Sequence, residues 1–125
     1  MKKIGSYLLL AVVLIFTIIF AYILLNTKQK NNSEDQIAIL FYGDGCPHCV
    51  EVEKYIAENN IKEKIIFIEK EVYKNANNAK ILNKKAKKCG IKENEIGVPF
   101  LWAEGKCYMG NEDIINFFNN KTNES

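Results

Sequence analysis

Residues Ile4 to Leu25 form a run of 22 without a charge, IGSYLLLAVVLIFTIIFAYILL, and this run constrains the chain more than any other feature. As a helix rising ~1.5 Å per residue it reaches roughly 33 Å, enough to cross the hydrocarbon core of a bilayer. It is apolar on every face, whereas a helix packed on a globular domain keeps a polar side. A cleaved leader would have a shorter apolar stretch and a small-x-small site. Here the run ends Ala21-Tyr22-Ile23-Leu24-Leu25-Asn26 and has no such site, so a retained membrane anchor is expected over 1–25, with 4–25 spanning. Lys2 and Lys3 on one side and Lys28 and Lys30 on the other leave the positive-inside count nearly balanced. Residues 26–36, NTKQKNNSEDQ, are polar without an apolar period and read as a flexible linker. What folds is expected within 37–120, one small domain, with 121–125 as a C-terminal tail.

Charge excludes several function classes. The basic residues are all lysine, 17 against 15 acids, and they balance once Lys2 and Lys3 are set aside. Bulk-charge binding of nucleic acid is therefore not expected. Without arginine there is no planar fork for bidentate recognition of phosphate or carboxylate.

Within the folding window, Ile37 to Tyr42 is a short apolar run closed by Gly43-Asp44-Gly45, the pattern of a buried strand ending in a turn. Pro47 suits a first helical position, and Cys49, Val52 and Ile56 share one face, so a helix is predicted over 46–58. Ile65 to Ile68 reads as a second strand. Ala79, Leu82, Ala86 and Cys89 predict a helix over 74–88 that Gly90 can cap. Strands 99–103 and 106–109 flank Glu104-Gly105, a hairpin signal. Asn111 is placed to cap a last helix carrying Ile114, Phe117 and Phe118. The order βαβαββα predicts an α/β fold, a four-stranded mixed sheet with helices on both faces.

The chemistry concentrates at Cys46-Pro47-His48-Cys49, where a strand hands over to a helix. Two cysteines at i and i+3 on a first helical turn can close a small disulfide ring. The free amides of that turn stabilise a thiolate on Cys46, the expected exposed nucleophile. A protonated His48 adds positive charge beside it, and such effects lower a thiol from roughly 8.5 into the range ~3.5–7.5. Cys49, one turn in, is the expected buried resolving sulfur, working through a mixed disulfide. Pro47 fixes the turn and removes an amide.

Strand, Cys-Pro-His-Cys, helix and the later Val98-Pro99 resemble the thioredoxin superfamily, and the intervening Pro-His resembles that of disulfide oxidases of the DsbA type. The resemblance covers about 37–120, and the domain size is similar to that of a glutaredoxin. It implies a thioredoxin-like fold and thiol-disulfide oxidoreductase activity. It also implies that Pro99 is a cis-proline facing the cysteine pair, with Val98 offering backbone groups to an extended substrate peptide. Between the second strand and Pro99 there is room for one helix, so the helical insertion of DsbA-type proteins is absent and their substrate groove does not carry over. The sequence departs from the family at Leu40, where a buried acid stands six residues before the first cysteine in thioredoxins and DsbA-type proteins. The proton on Cys49 is then left to water, Asp44 or His48.

Other readings of the cysteines stand beside this one. Cys46 and Cys49 could form half of a zinc site completed by Cys89 and Cys107, or a structural disulfide without a catalytic role. For Cys89 and Cys107 a stabilising second disulfide is preferred to a relay pair, with two buried free thiols the remaining option. The lysine-rich stretch Lys80, Lys84, Lys85, Lys87 and Lys88 is expected to answer a helix dipole and stay solvated, with a membrane-surface or acidic-partner role as the alternative.

The expected protein is a membrane-anchored, single-pass thiol-disulfide oxidoreductase, a monomer in the cell membrane with its C-terminal domain extracytoplasmic. Oxidase is the favoured direction. A disulfide reductase is the alternative, and a metal-holding or binding module is the alternative of another class. No cofactor beyond the Cys46–Cys49 disulfide and no resident metal is expected. The expected partners are protein thiols or disulfides and a membrane redox partner, a quinone-linked oxidase or an electron donor.

Overall fold

The computed structural model describes residues 2–26 and 37–124, and the linker reading for 27–36 and the last tail residue, Ser125, lie outside them. The chain divides into two compact units, Met1–Asn31 and Asn32–Ser125. In the first, α1 (Lys2–Asn26) is one continuous helix. Its segment Gly5–Leu24 has a mean hydropathy of 2.8 and no buried residue, so it is long and apolar enough to cross a membrane. Thr17, a polar residue within it, donates its hydroxyl to the Leu14 carbonyl at 2.8 Å and so presents no unsatisfied donor.

The second unit is the predicted α/β fold with thioredoxin-like topology. Its elements are β1 (Ala38–Tyr42), α2 (Pro47–Glu58), α3 (Ile61–Lys64), β2 (Phe67–Glu71), α4 (Ala76–Lys88), β3 (Phe100–Ala103), β4 (Lys106–Met109) and α5 (Asn111–Asn123). The sheet order is β2-β1-β3-β4, with β1 parallel to β2 and the other pairs antiparallel. The central strands AILFY and FLWA are near-continuous apolar runs because both faces are covered. Alternation sends Leu40 and Leu101 to one face, where they pack with Val52, Ile56, Ile114 and Phe118 of α2 and α5. Ile39, Phe41, Phe100 and Trp102 go to the other face and meet Leu82 and Ala86 of α4.

The boundaries depart from the sequence reading most at β2 and at the two ends of α5. The second strand begins at Phe67 rather than Ile65, because fully buried Ile61 anchors the short helix α3 and Ile65 closes it. As an edge strand, β2 then takes in Glu69, Lys70 and Glu71, which carry no apolar signal. Gly110, not Asn111, stands at the N-cap of α5, and its φ of 85° is one that glycine adopts without strain. The same helix runs on through Asn123, so most of the expected tail is helical, with no breaker to stop it at 120. α4 starts at Ala76, two residues later than read, while Gly90 and Glu104-Gly105 act as read. Asn75 caps α4 by accepting from the amides of Asn77 and Asn78, both at 3.1 Å. Gly90 follows its end at φ 74°, and Glu104-Gly105, both left-handed, close the β3–β4 hairpin.

Candidate active site

β1 delivers the cysteine pair. After Tyr42 the chain turns through Gly43-Asp44-Gly45, and the Cys46 amide donates to the Gly43 carbonyl at 3.1 Å. Cys46 is the N-cap of α2 and Pro47 its first residue, so the proline loses no helical hydrogen bond. Cys46 and Cys49 form a disulfide with Cα atoms 5.2 Å apart. The Cys49 N–H donates to Cys46 Sγ at 3.2 Å, so an amide of the first helical turn is already aimed at the sulfur that would carry charge on reduction.

The expected exposed nucleophile is nearly covered. Cys46 is 6% exposed and Cys49 2%, so the order of exposure is as read but Cys46 does not stand out in solvent. The cover comes from the loop before β3, for Cys46 Sγ lies 3.7 Å from the Val98 carbonyl oxygen. The Val98–Pro99 peptide bond is cis, and Pro99 is buried. Antiparallel pairing of Phe41 with Phe100 brings this loop to the end of β1 where Cys46 sits. The Gly110 amide, donating to the Pro99 carbonyl at 3.0 Å, fixes it from the other side.

His48 lies on the outer flank of α2, its side chain 68% exposed and Nδ1 3.9 Å from Glu51 Oε1. The other Glu51 oxygen accepts from the Asn111 amide side chain at the start of α5. Leu40, in the position of the missing acid, is buried in the apolar layer beneath α2.

A second group of residues, which the sequence reading did not single out, holds the loop before Cys46. The Glu71 carboxylate accepts from the amides of Tyr73 at 2.7 Å, Lys74 at 2.9 Å and Asp44 at 3.4 Å. Partial burial pushes the Glu71 carboxyl up, but these three donors and nearby Lys74 outweigh it and hold the group below its ordinary value. Lys74 also hydrogen-bonds Asp44, which lowers the Asp44 carboxyl and raises the lysine. Gly43 sits under the Tyr73 ring so closely that a Cβ there would lie 2.3 Å from a ring atom. No spacing rule marks Glu71 or Tyr73, since their role exists only once β2 is laid parallel beside β1 with Tyr42 level with Glu71.

The remaining cysteines form a second disulfide, Cys89–Cys107, with Cα atoms 6.3 Å apart. The four sulfurs are thus joined two by two rather than gathered around one point. Cys89 closes α4, and Cys107 lies on β4 opposite Trp102, which in turn faces Ile39. That register sets Cys107 at the opposite end of β1 from Cys46.

No family model matches this chain, and no curated protein matches it. Among solved structures, it is similar to the crystal structure of oxidized glutaredoxin 2 from Chlamydomonas reinhardtii. That similarity has 21% identity and a TM-score of 0.47, over 70% of this chain and 75% of the other.

Proposed function

We propose that this chain is a membrane-anchored thiol-disulfide oxidoreductase working as an extracytoplasmic disulfide oxidase on protein thiols. The observation that carries this reading is the Cys46–Cys49 disulfide at the start of α2, with the Cys49 amide donating to Cys46 Sγ. A donor fixed on Cys46 favours the thiolate that remains when the disulfide has been spent, and a stable thiolate makes the disulfide a stronger oxidant.

The cycle begins when a substrate thiolate attacks Cys46 Sγ. The Cys46–Cys49 bond breaks, its electron pair leaves on Cys49, and a mixed disulfide joins substrate to Cys46. A second substrate thiolate attacks the substrate sulfur and displaces Cys46 as thiolate, so the substrate leaves oxidised by two electrons. In this reading the Val98 backbone, whose carbonyl lies beside Cys46, pairs with an extended substrate segment, and Pro99 brings no amide of its own to the sulfurs. His48 supports the Cys46 thiolate when protonated. A quinone-linked membrane oxidase takes the two electrons and restores the disulfide, and no other cofactor is needed. Residues 4–25 hold the protein to the cell membrane in a single pass. Two disulfide pairs suit an oxidising compartment, which supports placing the domain outside the cytoplasm. Cys89–Cys107, set at the far end of β1, is read as a staple and not a relay.

The test is a glutathione redox titration of the full chain, trapped by alkylation and read by mass spectrometry at all four cysteines. A Cys46–Cys49 potential above the glutathione couple is expected. One well below it makes the protein a reductase, and a pair that never oxidises overturns the enzyme reading.

A further inference from the structure

The two faces of the sheet carry opposite charge. On one face, α4 has Lys80, Lys84, Lys85, Lys87 and Lys88 and no acidic residue. On the other, α2 and α5 have Glu51, Glu53, Glu58, Glu112 and Asp113 against Lys54 and Lys121. Two of the α4 lysines turn toward Trp102. Lys85 is buried with Nζ 4.7 Å from the Trp102 ring centre, and Lys88 Nζ lies 5.4 Å from the same ring. Lys80, Lys84 and Lys87 instead follow the i, i+4, i+7 spacing along the solvent side, and Lys92 extends that exposed row beyond the helix. None of these four has an ion pair among the described residues.

Beside the ridge runs a groove of about 360 Å³, where Lys84, Lys87 and Lys92 stand around half-buried Ile91 and Ile96, with Glu93 and Asn83 completing the lining. Lysines above an apolar floor fit an amphiphilic anion, with phosphate on the ammonium groups and carbon against the isoleucines. A purely acidic peptide would answer the charges and leave the floor unmatched.

We propose that the α4 face docks on an anionic bilayer surface, with lipid phosphates on Lys80, Lys84, Lys87 and Lys92 and glycerol and acyl carbon against Ile91 and Ile96. This rests on the membrane-anchored reading above. The ten residues 27–36, at ~3.5 Å each, reach at most roughly 35 Å. Near an anionic surface each lysine strengthens attachment about fivefold. Docking leaves the redox pair open. β2 ends level with Tyr42, close to Cys46, and α4 starts from that end and runs back along the sheet. Its later lysines therefore lie toward the end away from Cys46.

The experiment places the full chain in nanodiscs of phosphatidylcholine alone or with about one third phosphatidylglycerol, and reads lysine acetylation rates by mass spectrometry. In anionic discs Lys84, Lys87 and Lys92 should react at least about fivefold more slowly, with Lys54 on the opposite face unchanged. The protection should vanish at about 0.5 M salt. The variant Lys84→Gln, Lys87→Gln, Lys92→Gln should lose the protection at Lys80 while keeping its buried Trp102 fluorescence and its thiol exchange rate. Equal rates in the two kinds of disc overturn the proposal. So does protection that grows with the number of copies per disc, which would assign the ridge to the acidic face of a second copy. Protection that needs an added acidic protein overturns it as well. Carbonate extraction reads the anchor separately: a chain stripped from the discs defeats the anchoring reading, and its footprint on vesicles of the same lipids still decides the lysine face.

Discussion

The Cys89–Cys107 bridge closes a loop of sequence separation 18 between the end of α4 and the last strand. Replacing both cysteines with alanine leaves the folded domain nearly unchanged in packing, because Cys89 is exposed and Cys107 half-buried. The effect falls on the unfolded chain, which regains the freedom the loop denied it. In the loop-entropy model a separation of this length is worth about 3 kcal/mol, a large share of the roughly 5–15 kcal/mol that holds a small domain folded. With a urea dependence near 1–1.5 kcal/mol per molar, the midpoint should fall by about 2–3 M. The chain has one tryptophan, and Trp102, 3% exposed and opposite Cys107, reports the transition by fluorescence in a mild detergent. A loss below about 1 kcal/mol would refute the staple. So would a double variant of normal stability that no longer turns over Cys46–Cys49, which would make the second pair an electron relay.

Two further outcomes follow from the site. Cys46→Ser should abolish thiol exchange, whereas Cys49→Ser, which has no Cys46–Cys49 disulfide to donate, should fail to oxidise substrate thiols but let Cys46 attack an added disulfide and hold it as a mixed disulfide, seen as reducible adducts on non-reducing gels; exchange surviving in Cys46→Ser would remove the nucleophile assignment. Glu71 and Asp44 ionise more readily folded than unfolded, so their stabilisation is complete above their ordinary values of 4.5 and 3.8 and is lost as pH falls through the lower folded values. Amide exchange at Tyr73 and Lys74 should therefore accelerate below about pH 4 relative to the core strands. Glu71→Gln should show fast exchange there at every pH, and protection unchanged on acidification would refute the clamp.

The parts of this molecule that were legible in the sequence are those governed by local rules. The apolar run of α1, the glycines after β1 and α4, the proline at the start of α2 and the Glu104-Gly105 hairpin each follow from residues adjacent in the chain. The cysteine pair was legible because its chemistry depends on spacing within one helical turn. What escaped depends on pairing between distant segments. β2 could not be bounded, since its charged residues sit on an edge strand whose pairing with β1, not its apolarity, makes it a strand. Glu71 acts on Asp44 across a sequence separation of 27, and Asn111 on Glu51 across 60. The cover over Cys46 comes from Val98, 52 residues away, which is why composition and spacing suggested a more exposed sulfur.

The missing acid bears on where in the cycle Cys49 loses its proton. Cys49 is 2% exposed, and Leu40 beneath α2 provides no carboxylate to take its proton. Asp44 is a poor substitute, because Lys74 holds its carboxyl in the charged form and a carboxylate with a lowered pKa accepts protons reluctantly. His48 stands on the outer flank beside Glu51. In a reductase, Cys49 must lose its proton and attack while substrate is still attached, so a site without a buried base would slow the step that frees the substrate. In the proposed oxidase, the step that handles substrate asks Cys49 to leave as a thiolate, and a proton can reach it afterwards from water. Its deprotonation falls in the recharging step, in contact with the membrane partner, which can supply a base of its own. An apolar residue at position 40 therefore burdens a reductive cycle at the substrate and the proposed oxidative cycle at its recharging step.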